Sequence, residues 1–187
     1  MSTPSSFAID VPRSLIERLK ASDERAFEQL YRLFERPVYS LAVRMLGDPH
    51  EAQDVLQETM IQVLDKLAQF RGDAPFWGWL RQIAVNAALM RLRKHKPLEL
   101  GDELAELVSG PETALAALAG VELERALAEL PPTTRSVLWL YFVEGYTHDE
   151  IATSFGKSLS FSKSQVLRGA ERLRQKLACP IEVGVYA

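Results

Sequence analysis

Cysteine is nearly missing from this chain: Cys179 stands alone among 187 residues, so no internal disulfide can form. No cysteine and histidine grouping has the spacing of a zinc site, so no metal is expected. There is no glycine-rich loop spaced to cradle phosphate and no nucleophile set beside a base, which argues against an enzyme and against a cofactor. His50, His95 and His148 fall near helix ends or linkers, where a solvated imidazole is the ordinary state. The opening residues, Met1 to Phe7, lack the basic stretch and apolar run of a secretion signal. No apolar run approaches the ~20 residues that a membrane span requires. Together these absences point to a reducing cytoplasm and to no membrane insertion.

What is present is a foldable chain. Hydrophobic residues make up 47% and charged residues 25%, too apolar for disorder and enough for one ordinary domain or two small ones. The net charge of −3 hides a division along the sequence. Residues 1–97 hold 14 basic and 12 acidic side chains, residues 98–130 hold 1 and 8, and residues 131–187 hold 7 and 5. The acidity is concentrated between two mildly basic parts, so a negative total does not exclude a nucleic-acid partner.

Apolar residues recur with helical spacing and nowhere alternate with period two, so the fold class is all-α. Asp48-Pro49-His50-Glu51 offers a capping acid, a proline at the first helical position and a glutamate placed to reach back, predicting a helix to about Leu67. Asp73-Ala74-Pro75-Phe76 starts another, running to about Lys94. Ser22 is placed to cap an earlier helix bearing Phe27, Leu30, Tyr31 and Phe34, which Pro37 should end or kink. Thr147-His148-Asp149-Glu150 is a capping box, with Tyr146 and Ile151 set for a hydrophobic staple. Residues 97–122, with their glycines, proline and acids, read as a tether with one weak helix around Ala114 to Leu118. The boundaries are therefore an N-terminal helical bundle over 13–96, an acidic linker over 97–122, and a C-terminal domain over 123–178.

The C-terminal part has the order of a helix-turn-helix. Pro131-Pro132 precedes an apolar helix with Val137, Leu138, Leu140 and Tyr141; Glu144-Gly145 turns the chain into the short capped helix, and Gly156 turns it again. The last helix carries Lys163, Arg168, Arg172, Arg174 and Lys176, with Val166, Leu173 and Leu177 for its inner face. Such a helix fits the major groove, where each base pair shows its own donors and acceptors. The alternative is a small bundle whose cations simply face water.

Two features mark the N-terminal part. Over 51–67, Leu56, Met60, Val63 and Leu67 form one stripe, while Asp54, Gln57 and Glu58 share another face and could meet a basic partner helix. Over 70–96, Arg81, Arg91, Arg93, Lys94 and Lys96 have no acid between them, and Phe70, Phe76, Trp77 and Trp79 crowd in beside Arg71. Aromatic rings beside cations can stack unpaired bases while attracting their phosphates. Trp79 is expected in the core, whereas Arg71, Trp77 and the basic tail are expected to be functional.

These residues resemble the extracytoplasmic-function group of bacterial sigma factors, over roughly 13–96 and 123–178. The family's D-x-x-Q-E helix is matched by Asp54, Gln57 and Glu58. Its F-R-G-x-x-x-F-x-x-W-L-x-x-I-A-x-N segment is matched by Phe70-Arg71-Gly72, Phe76, Trp79-Leu80, Ile83-Ala84 and Asn86. Its C-terminal pattern is matched by Leu130-Pro131, Arg135, Glu144-Gly145, Glu150-Ile151-Ala152, Gly156, Ser158 and Lys163-Ser164. The resemblance implies a transcription-initiation factor that binds RNA polymerase core through Asp54, Gln57 and Glu58. It further implies that Phe70, Arg71, Phe76, Trp77, Arg81, Asn86, Arg91, Arg93 and Lys94 hold the melted minus-ten element. Lys163, Ser164, Leu167, Arg168 and Arg172 would read the minus-thirty-five element, and an anti-sigma factor or other regulator would be a further partner. A helix-turn-helix regulator acting alone is the rival, and it leaves the aromatic and basic block unexplained.

The chain departs from the family at several places. Gln53 stands where an acid is common, Val85 and Met90 replace polar residues, and Ser160-Phe161-Ser162 replaces Gly-Thr-Val. Gln165, Gly169 and Ala170 occupy positions often held by arginine, alanine and arginine. These departures are expected to bear on promoter sequence and DNA affinity rather than on the fold.

Overall fold

The computed structural model describes residues 6–94 and 122–177, which fall in two compact units, Met1–Leu98 and Glu99–Ala187. Among the described residues all regular structure is helical. Of the expected linker over 97–122, residues 97–121, with the expected weak helix, lie outside the described residues, as do His95, Lys96 and Cys179, whereas Glu122 is already helical.

The first unit contains α1 (Arg13–Lys20), α2 (Glu24–Leu46), α3 (Pro49–Lys66) and α4 (Phe76–Lys94), with a 3-10 turn, Leu67–Gln69, after α3. The three long helices pack on one another, and α1 lies against α2. Asp23, not Ser22, caps α2: its carboxylate accepts from Arg25 N at 2.9 Å and Ala26 N at 3.3 Å. Ser22 instead takes a left-handed conformation, φ 59°, that turns the chain out of α1. A carboxylate able to accept two amides is the stronger cap.

Pro37 does not end α2, which continues through it to Leu46. The missing amide and ring clash cost a helix about 3 kcal/mol. Phe34, Val38, Leu41 and Met45, all buried on both sides of Pro37, offset this, since each contributes about 1.5–3 kcal/mol on burial. Gly47 ends α2 at φ 78°, donating to Val43 O at 2.7 Å. Asp48 then caps α3, accepting from His50 N at 2.7 Å and Glu51 N at 3.2 Å. The expected stripe of Leu56, Met60, Val63 and Leu67 is buried. Helix α4 buries Leu80, Ile83, Ala84, Val85, Ala87, Ala88 and Leu89, more than one face, because it meets both α2 and α3.

The second unit contains α5, described over 122–128, α6 (Pro132–Phe142), α7 (His148–Phe155) and α8 (Leu159–Leu177). Pro132 occupies the first turn of α6, where its missing amide costs nothing. Arg135 is buried, and its Nη1 donates to Ala128 O at the end of α5, 3.1 Å away; burial pushes its pKa down. The capping box closes as expected: Thr147 Oγ1 accepts from Glu150 N at 3.2 Å, and Glu150 Oε2 accepts from Thr147 N at 2.8 Å. Tyr146 and Ile151 are both buried beside it. Gly156, φ 62°, ends α7 in the left-handed conformation and sends the chain into α8, completing the helix-turn-helix.

Candidate nucleic-acid and protein interfaces

Helix α8 divides cleanly into two faces. Ser162, Val166, Gly169, Ala170 and Leu173 are buried against α6 and α7. Lys163, Leu167, Arg168 and Arg172 are exposed, Leu167 to 64%, and Ser164 is half-buried beside them. A leucine that open to water between cations suits a surface that meets both base edges and phosphates.

The inner face corrects the expected meaning of three departures. Gln165 accepts a hydrogen bond from the Thr134 hydroxyl at 2.7 Å, and Gly169 and Ala170 are buried. These three residues fit α8 to its own domain. His148 is likewise not a solvated histidine: its ring stacks on Tyr141 at 4.6 Å, and Nδ1 lies 3.0 Å from Ser162 Oγ. Burial, then the nearby Lys163 charge, push its pKa below the ordinary imidazole value, with Asp149 opposing.

In the first unit, Phe70 is half-buried, packed edge-on against Phe76 at 5.1 Å and tilted against Trp79 at 5.3 Å. Phe76 also lies 5.4 Å from Trp79 and 6.5 Å from Phe34, and it is 4% exposed. Phe76 therefore anchors the loop and does not offer its ring to a base. Trp79 shares this cluster while remaining half-buried. Lys20 Nζ donates to Phe70 O at 3.2 Å, tying the loop to α1. Gly72, φ 84°, turns the loop beside the exposed Arg71. Trp77 is half-buried with the Arg81 guanidinium over its ring at 5.1 Å, a cation–π arrangement. Asn86, Arg93 and Lys94 are exposed along α4, and Asn86 accepts from Gln82 at 3.2 Å.

Arg91 is not with them. Its Nη1 donates to Asp54 at 2.9 Å and Glu51 at 3.1 Å, and its Nε lies 3.8 Å from Glu58. Glu51, three residues after the Asp48 cap, thus also serves Arg91. Burial works against the Arg91 charge, and the hydrogen bonds to Glu51 and Asp54 more than offset it, so its pKa is raised. Asp54, Gln57, Glu58, Ile61, Gln62 and Arg91 line one shallow groove. Ile61, 61% exposed, was not expected there. The signal was present in its place three residues after Glu58 and four after Gln57, an apolar side chain off the buried stripe.

Two family profiles match this chain: sigma-70 region 2 over residues 30–97 and sigma-70 region 4 over residues 120–173. The RNA polymerase sigma-H factor of Pseudomonas aeruginosa is 31% identical over 179 residues, spanning 88% of this chain and 93% of that one. The extracytoplasmic-function (ECF) sigma factor SigW of Bacillus subtilis is 30% identical, spanning 87% and 94%. The chain belongs to the extracytoplasmic-function group of the sigma-70 family. Sigma factors are non-catalytic transcription factors that direct RNA polymerase to promoters, and this sigma factor is a transcription-initiation factor. Its fold is shared with the sigma factor RpoE of Bartonella quintana, solved with the anti-sigma factor NepR: TM-score 0.60 at 20% identity, covering 83% of this chain and 98% of that one. Among the described residues of this sigma factor no helix is long and apolar enough to cross a membrane.

Proposed function

We propose that this sigma factor uses three surfaces. The groove of Asp54, Gln57, Glu58 and Ile61 on α3 docks on RNA polymerase core. Phe70, Arg71, Trp77, Arg81, Asn86, Arg93 and Lys94 capture the melted minus-ten element, with Phe76 and Trp79 holding the loop. Lys163, Ser164, Leu167, Arg168 and Arg172 read the minus-thirty-five element. The observation that carries this reading is the two-faced α8: the same helix fills its domain core with one side and presents Leu167 among cations on the other. The arrangement binds and orients nucleic acid, and we assign it no catalysis and no cofactor.

The energetics favour capture over active opening. Unstacking a base costs a few kcal/mol, which stacking on Phe70 and Trp77 and phosphate attraction by Arg71 would offset. We assign the chain to the cytoplasm, where polymerase is found, and an anti-sigma factor is a further partner, as for the relative solved with NepR. Run-off transcription from a promoter selected out of a randomised library tests the reading. Core polymerase with the chain should initiate from one defined position, and core alone should not. Specific duplex binding by the isolated chain without any effect on core would support the lone-regulator reading instead.

A further inference from the structure

Arg91 leaves α4 close to its basic end, beside Arg93 and Lys94, yet its guanidinium crosses to α3 and meets carboxylates 37 and 40 positions earlier in the chain. The arginine side chain is 24% exposed, Glu51 22%, Glu58 34% and Asp54 52%. Arg91 is thus shared among three acids, of which Asp54 is the most open to solvent. Arg91 draws these like charges toward one cation, and losing it would remove the attraction that offsets their mutual repulsion. A DNA phosphate approaching Arg91 would instead have to come up against Asp54 and Glu58, which repel it.

We propose that Arg91 is a positioning residue of the polymerase-docking surface, holding Glu51, Asp54 and Glu58 in one outward-presenting arrangement for a basic partner surface, and that it is not a promoter contact. This rests on the docking assignment made above. The groove it completes, lined by the exposed Ile61 together with Asp54 and Glu58, has the composition of a docking patch, an apolar anchor beside charged groups. Arg91 organises the charged groups in advance, so that less side-chain freedom is lost when the partner arrives.

The experiment uses the full chain as Arg91→Gln and Arg91→Lys, titrated against core polymerase at several salt concentrations, with the melting temperature of each free variant recorded. Arg91→Gln should weaken core affinity by about five- to tenfold, and Arg91→Lys should recover most of it. Once saturated with core, all three proteins should bind a single-stranded minus-ten probe equally. The proposal is overturned if Arg91→Gln leaves core affinity unchanged or raises it, or if it loses the single-stranded probe while binding core normally. It is equally overturned if the loss follows a fallen melting temperature and Arg91→Lys does not restore it. Asp54→Lys separates the two levels. If that change leaves core binding intact, the docking assignment itself fails; if it weakens binding while Arg91→Gln does not, only the role of Arg91 fails.

Discussion

Gly169 of α8 faces Leu138 of α6 so closely that a Cβ on the glycine would come within 2.7 Å of Leu138 Cδ1 and 2.9 Å of its Cγ. The same Cβ would meet Thr134 Cγ2 at 2.8 Å, and Thr134 is held by its hydrogen bond to Gln165 on α8. This close approach sets how the outward face of α8 is presented. Gly169→Ala gains up to about 1 kcal/mol of helix propensity but forces an overpacked contact costing about 1–3 kcal/mol. The expected outcome is a net loss of stability in the second unit and a lowered melting temperature, read by thermal circular dichroism. A rise would mean that Leu138 and Thr134 yield more easily than their burial indicates.

Thr147→Ala removes the hydroxyl that accepts Glu150 N and should cost about 1 kcal/mol. Because α7 is short, its first turn depends strongly on this cap. Denaturant unfolding should show a lower midpoint with little change in slope. Thr147→Ser should remain close to the parent.

His148 is predicted to titrate below the ordinary imidazole value of about 6.5, since burial and Lys163 both disfavour its charged form. The unfolded chain then binds the proton more readily than the folded one. Acidification through the ordinary value should destabilise the second unit, until the pH falls below the folded pKa and the loss levels off. An NMR titration of the His148 ring checks this directly: a midpoint at or above 6.5 contradicts it.

Lys163→Ala or Arg168→Ala should weaken recognition of the upstream promoter element, because both side chains stand on the open face of α8. A base-reading contact would cost about 1–3 kcal/mol and show sequence preference, whereas a phosphate contact would weaken all sequences alike and reduce the salt dependence. Competition binding with mutated upstream elements distinguishes them.

Much of this architecture is legible in sequence where the cause is local. The Asp48 and Thr147 caps, the Gly156 turn and the buried stripe of α3 follow from side chains a few residues apart. Features set by tertiary packing do not show in this way. Pro37 reads as a break, yet the core on either side of it carries α2 through. Phe76 reads as a base platform until three other rings enclose it. Arg91 belongs by sequence to a basic tail, and only the pairing of α4 with α3 brings it to Asp54. Gly169 and Gln165 look like altered DNA contacts until α6 is laid against them.

The most direct test of the account is permanganate reactivity of promoter thymines, measured with each protein in turn while core polymerase is raised from limiting to saturating concentration. The parent chain should open the minus-ten region. Asp54→Lys should abolish opening at limiting core concentration, and opening should return as core is raised. Arg71→Ala with Trp77→Ala should reduce opening at every core concentration while leaving upstream protection intact. If the Arg71 and Trp77 double variant opens the promoter as the parent does, or if Asp54→Lys is equally active at limiting core, the division of the first unit into a polymerase-docking face and a base-capturing face is wrong.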